Sequence, residues 1–219
     1  ISDWDAAGLV DMLNISSFYI HSINLDIEIF RQLAPRSKLY GEMNYVTDQK
    51  TLGKNANGVL KLARRYTTAE TYRGSAFNLF NRGADGLSLF NFDYVPRNVR
   101  FTMAPILKNI TDLDFLRNTS KNYVITRNSG VLPANDSVTL DICIPDDTRK
   151  ITFKEAVLRV ETHKPCEGIP LSVTFNGKPL EQTKRAETEL FPAVAGRNEA
   201  YPDQDHLIFY AVPLDIIVP

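Results

Sequence analysis

The pattern of apolar and polar residues in the first sixty positions alternates between strand-like and helix-like segments. Residues 9–15 (LVDMLNI) form a short apolar run after a glycine, which predicts a buried strand entering a polar loop. Residues 26–34 have apolar side chains at helical spacing, and Pro35 ends this predicted helix. Residues 37–45 (SKLYGEMNY) predict a second strand, and the polar residues 46–57 predict a long loop.

The clearest local signal is a capped helix followed by a strand. Residues 67–70 (TTAE) have the sequence of a capping box, in which a threonine hydroxyl accepts from the amide of Glu70 and the carboxylate reaches back. Gly83 lies where a left-handed residue ends such a helix, and residues 87–92 follow as a third strand. Because helices connect the three strands, the strands are expected to pair in parallel.

The second half of the chain changes character and predicts an all-β unit. A connector ends in a short helix at residues 111–117, with Thr111 or Asp112 as its cap. From residue 131 onward short alternating strands are separated by prolines, and Asn176-Gly177 is a typical two-residue hairpin turn. The predicted strands are SVTLDICIP, EAVLRVETH, LSVTFNG and HLIFYAVPLDIIV. This pattern predicts a small antiparallel β-sandwich.

Composition and charge exclude several classes of function. The 219 residues carry a formal net charge of -1 and show no basic stripe, which argues against a nucleic-acid surface. No apolar run approaches the roughly 20 residues that a membrane-spanning helix needs, and the first residues lack the basic start of a signal peptide. The three histidines have no metal-ligand spacing, and no phosphate-binding loop or nucleophile elbow is present, so no cofactor is predicted.

The order of these elements resembles the C-terminal end of glycoside-hydrolase-like TIM-barrel proteins that carry an appended β-sandwich. The residues that support the resemblance are Gly83-Ala84-Asp85-Gly86, Phe90-Asn91-Phe92, Glu70, Tyr72 and Arg73. The resemblance implies a mixed α/β plus all-β chain: an incomplete (β/α)8 barrel with strands six to eight, followed by the sandwich. Residues 1–120 would be the barrel portion with its connector, and residues 121–219 the sandwich.

A complete barrel has eight strands and roughly 250 residues, so the resemblance also implies that five units come from upstream residues or from a partner chain. It implies a carbohydrate substrate and a secreted, periplasmic or cell-surface location. Two functions remain open. One is acid/base hydrolysis of a glycosidic bond, with the isolated chain inactive. The other is a non-catalytic carbohydrate-binding or structural role.

Glu42 is the candidate catalytic residue. Retaining glycosidases of the large TIM-barrel clan carry their nucleophile near the carboxyl end of strand seven, and Glu42 lies at the resembling position. The acid partner in that clan lies on strand four, which this chain does not contain. The alternative is that Glu42 pairs with a nearby arginine or lysine at a strand end.

Five further residues are candidates for binding a sugar. Asp11 and Asn14 can hydrogen-bond sugar hydroxyls at the end of the first strand, or can cap the loop that follows it. Tyr45 can stack on a sugar ring or simply pack in the core, as can Phe18 and Tyr19. Asn91 and Asp93 follow the last strand, where a polar side chain needs either a ligand or a backbone partner.

Overall fold

The computed structural model describes residues 1–17, 20–95, 104–125, 137–161, 171–183 and 207–218. Its described α-helices are α1 Ser2–Ala6, α2 Ile27–Leu33, α3 Ala69–Asn81 and α4 Leu113–Arg117. Its strands are β1 Met12–Ile15, β2 Lys38–Asn44, β3 Val46–Lys54, β4 Leu60–Tyr66, β5 Gly86–Phe90, β6 Ala156–Glu161, β7 Thr174–Phe175, β8 Lys178–Pro179, β9 Glu181–Thr183 and β10 Leu207–Val212. None of the described helices is long and apolar enough to cross a membrane.

The N-terminal half is built on a three-stranded parallel sheet with the order β1-β2-β5. The three predicted strands, their parallel pairing and the helices between them are therefore confirmed. Leu39, Gly41 and Met43 of the central strand β2 are buried beneath the helices, and Ile27 of α2 and Leu79 of α3 belong to the same core. One face of the sheet is thus covered by helices, and the opposite face is called the open face below.

Helix α3 packs so closely on the sheet that glycine is required at one position of β2. A Cβ atom on Gly41 would stand 2.6 Å from both methyl carbons of Leu79, far inside van der Waals contact. The missing side chain therefore lets the helix approach the backbone of the central strand, as the glycine in this strand predicted.

The ends of α3 differ in part from the predicted pattern. The N-cap is Thr68, whose Oγ1 accepts from the amide of Thr71 at 3.3 Å. Thr67 instead donates to the carbonyl of Asn44 at 2.7 Å, so the predicted box involving the Glu70 amide is wrong. Gly83 ends the helix as predicted, with φ +97° and its amide bonded to the carbonyl of Phe80.

Residues 46–57 do not form the predicted long loop. They contain strand β3, which pairs with β4 as an antiparallel hairpin immediately after the carboxyl end of β2. The side-chain Oδ1 of Asn55 accepts from the amides of Asn57 and Val59, and Gly58 adopts φ +76° in the turn. Polar residues along both strands of the hairpin concealed its alternation from sequence reasoning.

The C-terminal half is β-rich, with a second small core. Strands β6, β10 and β9 form one antiparallel sheet, and β7 pairs with β8 across the turn Asn176-Gly177. Both turn residues have positive φ, 48° and 77°, so the predicted hairpin is confirmed. Residues 137–147 have no regular secondary structure and pair with no strand, in contrast to the predicted strand. The described sheets are small and open, and no closed barrel is present among them.

Helix α3 is contacted both by the residues that follow α4 and by the segment around Cys143. The amide of Asn122 donates to the carbonyl of Glu70 at 2.9 Å, and the side chain of Asn78 donates to the carbonyl of Cys143 at 2.7 Å. A Cβ atom on Gly74 would stand only 2.2 Å from the carbonyl oxygen of Asn122. Glycine at this helix position therefore permits the contact between helix and segment.

Candidate functional site

Glu42 lies on the open face of the parallel sheet, toward the carboxyl end of the central strand. Side chains alternate along a strand, and the neighbours Gly41 and Met43 are both buried beneath the helices. The Glu42 side chain therefore points away from the helices, and the residue is half-buried. The ends of β1 and β5 lie on either side of it because β2 is the middle strand.

Four polar residues on the open face form a connected set of hydrogen bonds, called the Glu42 network. Asn14 Nδ2 donates to Glu42 Oε2 at 2.8 Å, and the Ser16 hydroxyl donates to Glu42 Oε1. Ser88 Oγ donates to Asn14 Oδ1 at 2.6 Å. The network thus connects β1 and the residue after it with β2 and β5. Each oxygen of the carboxylate accepts one hydrogen bond.

The chemical consequence is a carboxylate oriented by neutral donors. Within the described chain the two hydrogen-bond partners of Glu42 are an amide and a hydroxyl, and neither is a lysine or arginine. An oriented carboxylate can act as a nucleophile or a base, or can accept hydrogen bonds from the hydroxyls of a ligand.

Asp11 is not close to this network. Strand β1 begins at Met12, later than predicted, so Asp11 precedes the strand instead of standing near its carboxyl end. The backbone carbonyl of Asp11 accepts from the amide of Lys38 at 2.8 Å, and Lys38 is the first residue of β2. Asp11 therefore lies at the opposite end of the sheet from Glu42, whereas Asn14 belongs to the network.

Tyr45 lies in the hydrophobic core, with only 5% of its surface exposed. Its ring centroid is 6.3 Å from that of Tyr66, and the guanidinium of Arg64 stands 5.8 Å from the ring centre. These neighbours belong to the β3–β4 hairpin, so the ring supports the hairpin and is not presented to a ligand. Phe18 and Tyr19 lie outside the described residues.

Asn91 and Asp93 stand beyond the end of the last parallel strand. Strand β5 ends at Phe90, and Asn91 adopts the left-handed conformation with φ 53°. Strand alternation therefore does not determine the direction of its side chain. Asp93 is an exposed residue of the short 3-10 helix Phe92–Tyr94.

Sequence reasoning missed Ser16 and Ser88. Ser88 is a single serine within a strand and Ser16 is the first of two serines after one, and neither pattern indicates a functional residue. The register supplies the missing information, because Glu42 is paired directly with Ser88 on β5. Once three parallel strands are predicted, the one polar residue in the apolar run LSLF of β5 indicates Ser88 as a candidate.

A buried histidine lies close to the carboxyl end of β2. The Nε2 atom of His21 is 2.5 Å from the hydroxyl of Ser75, and its ring contacts Tyr72 edge-on. Burial lowers the pKa of His21 to about 4, and a hydrogen bond with the backbone of Asn44 partly offsets this effect. The imidazole is therefore neutral at physiological pH and has the role of a core residue.

The described residues contain no group of three His, Cys, Asp or Glu side chains arranged to hold a metal ion. No protein-family model matches this chain, and a search of curated proteins finds none with significant similarity.

Proposed function

We propose that this chain is the C-terminal part of a glycoside-hydrolase-like TIM-barrel protein that hydrolyses a glycosidic bond by acid/base catalysis. The observation that carries the proposal is the position of Glu42. It lies on the open face of the middle one of three adjacent parallel strands, toward their carboxyl ends, with a hydrogen bond to each oxygen. Catalytic groups of TIM barrels lie at the carboxyl ends of the strands.

In this proposal β1, β2 and β5 are barrel strands six, seven and eight, and the open face is the barrel interior. Five further strand–helix units come from the rest of the protein or from a partner chain. Residues 1–120 form the barrel portion with its connector, and residues 121–219 form an accessory β-sandwich. The protein is secreted, periplasmic or displayed at the cell surface, where polysaccharides are found.

Glu42 is the nucleophile or the base in this reaction. Glycosidases use two carboxylic groups on opposite sides of the scissile bond, one protonated as the acid and one ionised. The donors Asn14 Nδ2 and Ser16 Oγ hold the Glu42 carboxylate in one orientation. The protonated partner belongs to another barrel strand, so the isolated 219-residue chain is expected to be inactive.

The test compares Glu42→Gln with Asp11→Asn in the complete protein, using aryl glycosides as substrates. Glu42→Gln removes the charge and nucleophilicity while keeping the side-chain size, so kcat should fall by about a thousandfold or more. Asp11→Asn is the matched control, because Asp11 lies at the other end of the sheet, and it should keep wild-type turnover. A complete protein that has no turnover, or a Glu42→Gln variant that stays active, would contradict the proposal.

A second candidate function is carbohydrate binding without catalysis. It is favoured by the hydrogen-bonding groups of the open face, among which Glu42 is the one carboxylate of the described network. The same substitution separates the two functions. A binding module should retain its affinity for an oligosaccharide in the Glu42→Gln variant, measured by calorimetry, and should show no turnover in either form.

A further inference from the structure

We infer that Ser88 is a positioning residue that orients Glu42 through the side chain of Asn14. The contacts are consecutive: Ser88 Oγ to Asn14 Oδ1 at 2.6 Å, then Asn14 Nδ2 to Glu42 Oε2 at 2.8 Å. Ser88 has no described hydrogen bond to the carboxylate itself. The kinetic part of this inference rests on the proposed function, whereas the structural part does not.

The two ends of the Asn14 side-chain amide have different hydrogen-bonding roles. Oδ1 can only accept hydrogen bonds, and Nδ2 can only donate them. With Nδ2 toward Glu42, the amide stabilises the charged carboxylate. With the amide reversed, Oδ1 would face Oε2 at hydrogen-bond distance, and two acceptors would repel each other. A Ser88 hydroxyl that donates to Oδ1 therefore holds the amide in the productive orientation.

The position of the contact in the sheet strengthens the inference. Asn14 is on β1 and Ser88 is on β5, and the two strands lie on opposite sides of β2. Their hydrogen bond therefore passes over the central strand beside Glu42. Together with the hydrogen bond from Asn14 to Glu42, it connects side chains of all three strands at the level of the carboxylate. A side chain held at both ends loses rotational freedom before any ligand arrives, which is what a preorganised site requires.

The structural test uses nuclear magnetic resonance on the 15N-labelled 219-residue chain. In Ser88→Ala the side-chain amide protons of Asn14 should exchange with water several-fold faster than in the wild type. Ser88→Thr keeps the hydroxyl and should retain the wild-type rate. Asn118 is an internal reference, because its side chain donates to the carbonyl of Asp114 on α4 at 2.8 Å. Its exchange should not change in either variant.

The kinetic test uses the complete protein. Ser88→Ala should lower kcat roughly tenfold with little change in KM, the scale expected when a partner that orients a functional group is lost. Ser88→Thr should restore kcat, which a purely steric role would not explain.

Unchanged Asn14 exchange in Ser88→Ala, or unchanged kcat in an active complete protein, would overturn the inference. Faster Asn14 exchange in a complete protein without glycosidase activity would support the positioning contact and count against the proposed function alone. The two failures can therefore be told apart.

Discussion

Lys121 and Asp146 form an ion pair of 3.0 Å although their side chains are only 2% and 6% exposed. Lys121 also donates to the backbone carbonyl of Leu116 at 2.7 Å, and Tyr123 donates its hydroxyl proton to Asp146 at 2.6 Å. Burial lowers the pKa of Lys121, an effect that Asp146 opposes, and burial together with Asp146 raises the pKa of Tyr123. A charged pair therefore anchors the segment around residue 146 to the residues that follow α4.

We expect Lys121→Met to lower the free energy of unfolding by about 3–5 kcal/mol, because it leaves the carboxylate of Asp146 buried without a cation. Urea unfolding followed by circular dichroism measures the loss. Lys178→Met is the matched control. It breaks the pair with Asp215, which is 3.3 Å long with side chains 61% and 72% exposed, and should cost less than about 1 kcal/mol.

The double variant Lys121→Met/Asp146→Asn identifies the cause of that loss. Asparagine removes the buried charge and still accepts from Tyr123, so more than half of the lost stability should return. A single variant as stable as the wild type, or a double variant as unstable as the single one, would show that the buried charge does not limit stability.

The second prediction concerns pH and His21. The pKa of the buried imidazole is about 4, below the 6.5 of an unfolded histidine, so the unfolded chain binds the proton first as pH falls. The stabilisation is present above pH 6.5 and is lost between pH 6.5 and 4. The loss amounts to about 3 kcal/mol for a shift of this size. Unfolding free energies at pH 7, 5.5 and 4.5 should fall steadily in the wild type and less steeply in His21→Gln.

Asp85 provides the control for this pH dependence. The backbone amide of Leu39 and then the guanidinium of Arg31 hold the pKa of Asp85 at about 2. Because this is a lowered carboxyl pKa, its stabilisation is present above its ordinary value of 3.8 and is lost only at lower pH. Asp85→Asn should therefore leave the slope between pH 6.5 and 4 unchanged. Equal slopes in the wild type and His21→Gln would refute the role of His21.

The third prediction concerns the contact between Gly41 and Leu79. Gly41→Ala should cost about 1–3 kcal/mol, because the added methyl group overlaps the Leu79 side chain and forces the helix or the strand to move. In a double-mutant cycle with Leu79→Ala, the space freed by the shorter side chain should reduce the cost of the alanine by at least about 1 kcal/mol. Strictly additive changes in the free energy of unfolding would mean that residues 41 and 79 do not interact.

The fourth prediction concerns the capping role of Thr68 at the start of α3. Thr68→Ala should cost about 1 kcal/mol, because the amide of Thr71 loses its capping oxygen. Thr68→Ser keeps that oxygen and should unfold at nearly the wild-type urea concentration. Equal stability of the alanine and serine variants would show that the Thr68 hydroxyl does not cap the helix.

Periodic apolar residues allowed the parallel sheet and its helices to be predicted. One side of each element is buried in the strands β1, β2 and β5 and in the helices α2 and α3. This one-sided burial leaves a regular pattern of apolar residues in the sequence. The β3–β4 hairpin has polar residues on both strands, so no comparable pattern exists. The turn residues Asn57 and Gly58 were the remaining sequence feature that indicated a hairpin.

Residues 137–147 show why an alternating pattern is not sufficient for a strand. The carbonyls of Asp141 and Cys143 accept hydrogen bonds from the side chains of Asn24 and Asn78. Asparagine side chains from the N-terminal half thus satisfy backbone groups that a neighbouring strand would otherwise bind. Such contacts span many residues of sequence, and they cannot be inferred from local composition.

The candidate site was predictable only in part. The position of Glu42 near a strand end follows from the local pattern, but its contact with Ser16 and the contact between Ser88 and Asn14 depend on how the strands are aligned. Tyr45 shows the converse, because an aromatic residue at a strand end is equally compatible with a ligand platform and with the core position that it occupies.

The contact between Gly74 and Asn122 has a consequence for comparing sequences. Because a Cβ atom at position 74 would stand 2.2 Å from the Asn122 carbonyl oxygen, even alanine would push the segment away from the helix. Any homologue that keeps this junction must therefore have glycine at the equivalent position. That one alignment column can serve as a marker that separates chains with the same junction from chains that share only the parallel sheet.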